Sequence, residues 1–135
     1  MTKRCFVSIA LLVLSCLAFV AYAEADFSEL YQHYARAGGR SFSAERGRNL
    51  WLEKHAGPGG KVLNCTSCHG SELRKTGKHN RSGKLIEPMA PSVNPLRYTD
   101  IDKVDKWFLR NCKQVLRREC TAQEKGDVIR YLSQF

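Results

Sequence analysis

The chain has 135 residues, 43% of them hydrophobic, which is enough for one domain with a modest core and too little for two. Its 22 basic residues outnumber 13 acidic ones, giving a formal charge of +9, and its six cysteines call for a chemical role. No stretch after the first two dozen residues is apolar enough to span a bilayer.

Residues 1–23 read as an export signal. Lys3 and Arg4 form the positive start, Phe6 to Val20 the apolar run, and Ala21-Tyr22-Ala23 the cleavage site. This predicts a periplasmic mature chain over 24–135, a single domain, without Cys5 and Cys16. Cys16 follows Leu14-Ser15 and gives only a weak lipoprotein pattern, so a soluble product is expected.

Phe27, Leu30, Tyr31 and Tyr34 follow helical spacing until Gly38-Gly39, with His33 off the stripe and expected at the surface. A second helix is expected from a Ser43 cap, with Glu45 in its first turn, as far as Gly57-Pro58. Within it Gly47 and Trp51, four residues apart, set a flat notch beside a bulky ring, which suits a close helix crossing.

Cys65-Thr66-Ser67-Cys68-His69 is a C-x-x-C-H run, the pattern of c-type haem attachment. Two thioethers fix the porphyrin edge and the adjacent imidazole becomes the proximal iron ligand. A zinc site needs further Cys or His at short spacing, and a thioredoxin-like dithiol needs a βαβ pattern; neither is visible. The other two cysteines of the mature chain, Cys112 and Cys120, are then expected to pair in an oxidising compartment.

Without Lys3 and Arg4 the chain keeps 20 basic against 13 acidic residues. An exported protein is not expected to meet nucleic acid, so the charge reads as a docking face for an acidic redox protein or an anionic membrane. Residues 70–84 show no periodicity and read as loop, with Lys75, Lys78, Arg81 and Lys84 available to haem propionates and His79 in a polar setting. Pro88, Pro91 and Pro95 impose a stiff loop over the distal side.

Thr99-Asp100 caps a third helix whose apolar face is Ile101, Val104, Trp107, Phe108, Cys112 and Val115. Asn111 interrupts that face, which predicts a buried amide in need of partners. The last helix opens on a capping box, Thr121-x-x-Glu124, and carries Val128, Tyr131, Leu132 and Phe135 on one side.

The sixth iron ligand has two main candidates. Met89 offers a thioether that stabilises ferrous iron and closes the site for electron transfer. Asn111 offers a carbonyl oxygen, a hard neutral donor that holds ferric iron and releases ferrous iron. His33, His55 and His79 stand in polar contexts and are weaker candidates.

Gly47 with Trp51, answered by Tyr131-Leu132 near the end, resembles class I cytochromes c. Pro88-Met89-Ala90-Pro91-Ser92, Arg97-Tyr98-Thr99-Asp100, Lys106-Trp107-Phe108-x-Arg110-Asn111-Cys112 and Cys120-Thr121-x-x-Glu124-Lys125 resemble, more specifically, the sphaeroides haem protein class of c-type cytochromes. The likeness runs from about Phe27 to Leu132.

It implies an all-α, class I cytochrome c-like fold with four to five helices around one covalent haem c. It further implies Cys65, Cys68 and His69 as the haem anchors, Asn111 as a distal ligand lost on reduction, and a Cys112–Cys120 disulfide. Oxygen or nitric oxide would bind the ferrous form, and a dihaem cytochrome c or a membrane cytochrome b would be the redox partner. The competing functions are a plain electron carrier with Met89 as axial ligand and a haem oxidase or peroxidase. The latter would need a distal acid–base group, for which Arg97 and Arg110 are the candidates.

Overall fold

The computed structural model describes residues 26–135; the segment read as an export signal, with Cys5 and Cys16, lies outside the described residues. Five helices form the body: α1 Ser28–Arg36, α2 Ala44–Leu52, the single turn α3 Thr66–His69, α4 Ile101–Val115 and α5 Ala122–Leu132. Two short antiparallel hairpins join them, β1 His55–Ala56 with β2 Val62–Leu63 and β3 Gly77–Lys78 with β4 Leu85–Ile86. Among the described residues no helix is long and apolar enough to cross a membrane.

The helix starts follow their caps. Ser43 accepts from the Arg46 amide, Asp100 from the Lys103 amide, and Thr121 and Glu124 complete a reciprocal capping box. Helix α2 stops at Leu52, before the expected Gly57. Glu53 turns extended, and Gly57 and Gly59 belong to the turn that folds β1 onto β2. The side chain of Asn64 and the amide of Cys65 then take the last carbonyls of α2, at Leu52 and Trp51.

The core is the crossing of α2 with α5. A Cβ at Gly47 would collide with the backbone carbonyl of Asp127, so only glycine lets the two helices approach this closely. Asp127, buried on α5, receives two bonds from the Arg46 guanidinium at 2.8 and 2.9 Å and one from the Ser43 amide at 2.7 Å, which locks the start of α2 onto α5. Leu30, Tyr34, Trp51, Val128, Ile129 and Leu132 fill the interior around this point.

A second polar knot joins α1, α4 and α5. Asp105 of α4 accepts from Tyr34 at 3.1 Å and Lys125 at 2.8 Å, and pairs with His33 Nε2 at 2.7 Å. His33 is therefore half-buried and engaged, a departure from its expected surface position, because its partner comes from a helix 72 residues away. Burial alone would raise the Asp105 carboxyl, but the bonds from Lys125, His33 and Tyr34 outweigh it and hold the group below its ordinary value.

A depressed carboxyl contributes stability that is complete above the unfolded value, near about 3.9, and fades as pH falls through the folded value. Asp105→Asn is thus expected to cost about 1–2 kcal/mol at neutral pH. The cost should shrink toward pH 3, which urea titrations at several pH values would check.

Candidate functional site

The C-x-x-C-H residues fold as the turn α3. The carboxamide oxygen of Asn64 accepts from the Ser67 amide at 3.0 Å and the Thr66 hydroxyl at 2.7 Å, while the His69 amide bonds the Cys65 carbonyl at 3.1 Å. The turn is thereby fixed directly after α2. Trp51 carries it further: its ring lies 5.3 Å from the His69 imidazole and 6.2 Å from Tyr131 of α5.

Beside this turn lies a cavity of about 520 Å³, within the usual range for a cofactor site. Cys65, Cys68 and His69 form part of one wall. Residues of α4, among them Val104, Trp107, Asn111 and Cys112, form another, and Met89, Tyr98 and Leu132 contribute apolar surface.

The chemistry of the lining fits haem. Burial pushes the Cys65 thiol up to about 12, so it sits as an un-ionised sulfur in apolar surroundings. Burial, aided by the charge of Arg97, pushes His69 down to about 4, so the imidazole is neutral at physiological pH, the form that ligates a metal.

Arg97 is the clearest sign of a missing anion. It is 6% exposed, its guanidinium lies 4.3 Å over the Trp107 ring, and one of its NH groups donates to the Glu87 carbonyl at 3.3 Å. Its Nε has no partner, and among the described residues no carboxylate forms an ion pair with it. A buried cation without a counterion is costly, and haem brings carboxylates into this cavity. The buried indole NH of Trp51 is likewise unpartnered. Zinc has no comparable fit, since among the described residues no group of three or more His, Cys, Asp or Glu is placed to hold a metal ion.

The candidate residues are not all gathered here. Asn111 and Met89 both line the cavity. Asn111 stands on the cavity wall rather than in the α2–α5 core, so the amide on the apolar face of α4 is placed at the space a cofactor would take. Met89 is 8% exposed and held through its backbone, its carbonyl accepting from the Tyr98 hydroxyl at 2.6 Å and its amide donating to Leu73 at 2.9 Å.

Of the loop cations only Lys84 reaches the lining, and Lys75, Lys78 and Arg81 point elsewhere. Arg97 and Arg110 both line the cavity. His79 sits at its rim with its Nδ1 on Ser82, whereas His33 and His55 do not contribute. The 70–84 segment, read as plain loop, contains β3, paired with β4. The Sγ atoms of Cys112 and Cys120 are bonded at 2.00 Å, closing the turn between α4 and α5.

A helical fold built around a cavity with a C-x-x-C-H turn in its wall defines a c-type cytochrome. The family model described as a domain of unknown function, DUF1924, matches residues 37–132. The chain is 42% identical over 106 residues to the cytochrome c-type protein SHP of Cereibacter sphaeroides, covering 78% of this chain and 81% of that protein. It is 35% identical over 123 residues to cytochrome c'' of Methylophilus methylotrophus, covering 84% and 85%.

Among solved structures it superposes on oxidized SHP, an oxygen-binding cytochrome c, with a TM-score of 0.73 at 39% identity, over 83% of this chain and 99% of that one. A solution structure of cytochrome c'', which addresses haem-ligand detachment, matches with a TM-score of 0.67 at 34% identity, over 82% and 96%. The chain belongs to the DUF1924 family and to the SHP class of c-type cytochromes, whose cofactor is covalently bound haem c.

The haem carboxylates give Arg97 a testable role. A buried positive charge lining the cavity would stabilise the ferrous state of a bound haem, so Arg97→Gln is expected to lower the midpoint potential by about 60 mV, a tenfold change in a one-electron equilibrium. It should also make the potential pH-dependent near neutrality as the carboxylate loses its partner. Spectroelectrochemistry between pH 5 and 9 would read both effects, and an unchanged potential would remove Arg97 from this role.

Proposed function

We propose that this protein is an exported, periplasmic monohaem cytochrome that receives electrons from another haem protein and, when reduced, takes up oxygen or nitric oxide at a position vacated by Asn111. Bound haem c would supply a one-electron ferric–ferrous couple. Cys65 and Cys68 tether the ring, and His69, neutral in its buried setting, supplies the proximal nitrogen. Arg97 and the Trp51 indole offer donors to the carboxylates.

Asn111 decides the reactivity. It can coordinate only through its carbonyl oxygen, a hard donor suited to the ferric state and poorly matched to the softer ferrous one. Its neighbour Cys112 is tied to Cys120, which anchors the end of α4 and sets how far the amide can move. The observation that carries this reading is that Asn111, next to that anchored cysteine, lines the same cavity as His69. The relatives support it: one is described as oxygen-binding and the other as a protein in which a haem ligand detaches.

Anaerobic reduction followed by carbon monoxide titration tests the reading. The ferrous protein is expected to bind one equivalent without a slow displacement phase, and Met89→Leu is expected to behave alike. A ferrous spectrum indifferent to carbon monoxide in wild type but not in Met89→Leu would instead assign Met89 as the ligand.

A further inference from the structure

We infer that the β3–β4 hairpin is the docking face through which an acidic redox protein passes electrons to the haem, at the Cys68 edge of the cavity. This rests on the haem c assignment and on the electron-transfer half of the proposed function, not on the Asn111 ligand.

Residues 73–86 hold five cations, Arg74, Lys75, Lys78, Arg81 and Lys84, and no acid. Among the described residues Lys78, Arg81 and Lys84 form no ion pair. A solvated cationic loop would look the same by charge alone, but this one is held against the haem-attachment turn. A Cβ at Gly77 would collide with the Cys68 carbonyl, so β3 lies flush on α3. The Asn80 amide meets the Cys68 sulfur at 3.4 Å.

The hairpin also forms part of the cavity mouth. Lys84 and Leu85 line it, and Arg110 of α4 lines it from another element without an ion pair among the described residues. Leu85 follows Lys84 directly at the cavity, an apolar side chain beside positive charge. An apolar contact with a charged rim is how proteins meet one another, with the rim steering approach and the centre excluding water.

Electron transfer slows steeply with distance, and the hairpin that packs on Cys68 offers a short route from the surface to a ring tethered there. The step needs no bond change: one electron leaves the reduced partner and ferric iron becomes ferrous. An anionic membrane would match the charge but offers no electron to the edge.

The test uses the mature haem-loaded protein, with an acidic flavodoxin in its reduced state as probe and stopped-flow reduction as readout. A triple reversal, Lys78→Glu, Arg81→Glu and Lys84→Glu, is compared with Arg36→Glu, Arg40→Glu and Lys61→Glu, which alters net charge equally at exposed positions elsewhere. Electrostatic steering is worth roughly 10- to 1000-fold in association rate at low salt. The hairpin variant is expected to lose at least about tenfold of the rate constant and most of its ionic-strength dependence, while the control keeps both nearly intact.

Equal losses in both variants, or none in the hairpin variant, would overturn the assignment. So would hairpin-dependent retention on phosphatidylglycerol vesicles with the flavodoxin rate unchanged. Full reduction of every variant by dithionite shows that the haem site is intact. Asn111→Val keeps the hairpin and is expected to keep the wild-type salt dependence, so failure of the ligand assignment reads separately.

Discussion

In the Asn111→Val protein the ferric haem is expected to be high-spin and to bind exogenous ligands such as cyanide or nitric oxide at once, where wild type, on the proposed assignment, would first have to release Asn111. Valine removes both polar atoms of the amide and leaves only a small branched apolar group, which cannot coordinate. The fold should tolerate the change, because Asn111 makes no side-chain hydrogen bond among those described and stands on the cavity wall rather than in the α2–α5 core. Ligand loss without unfolding is therefore the expected outcome, seen in the ferric optical and electron paramagnetic resonance spectra. Thermal melts alongside would show that the protein remains folded. A ferric spectrum identical to wild type would remove Asn111 from the iron.

Removing the disulfide, by Cys112→Ser with Cys120→Ser, is expected to cost stability and loosen the same ligand together. The cysteines are 8 residues apart in sequence, and in the chain-entropy account closing so short a loop is worth about 2.5 kcal/mol. Cys112 is 6% exposed and lines the cavity, and its carbonyl takes the Leu116 amide at 2.7 Å to finish α4. Unpinning it frees the last turn of α4, starting one residue beyond Asn111. Urea titration should show the stability loss, and ferric spectra under native conditions should show a larger high-spin fraction than wild type. Stability lost with the spectrum unchanged would mean that the disulfide serves the fold alone.

What could be read along the chain was whatever is local. The caps at Ser43, Asp100 and Thr121 and the notch at Gly47 each follow from a few neighbouring residues, and the structure places them as the spacing implies. The C-x-x-C-H turn is legible for the same reason.

What escaped depends on partners distant in sequence. His33 looked like a surface residue because Asp105 and Lys125 lie on other helices. Arg97 followed a proline-rich loop with nothing beside it to announce burial; only the fold stacks it on Trp107 and denies it a carboxylate. The helical stripe of α4 put Asn111 among apolar neighbours correctly, but periodicity cannot tell a core-facing position from one on a cavity wall, and Asn111 belongs to the wall. The β3–β4 pair lacks the β-branched alternation that marks a strand, so its two-residue ladders had no signal to read.

In the proposed function, Asn111 is bound to the iron in the ferric state and gone in the ferrous state. Resonance Raman spectra of the wild-type protein, taken before and after anaerobic reduction, test it most directly. The expected change is from six-coordinate low-spin ferric to five-coordinate high-spin ferrous haem with an iron–histidine stretch. Six-coordinate low-spin signatures in both states, accompanied by a sulfur-to-iron charge-transfer band in the ferric optical spectrum, would contradict it and return the sixth position to Met89.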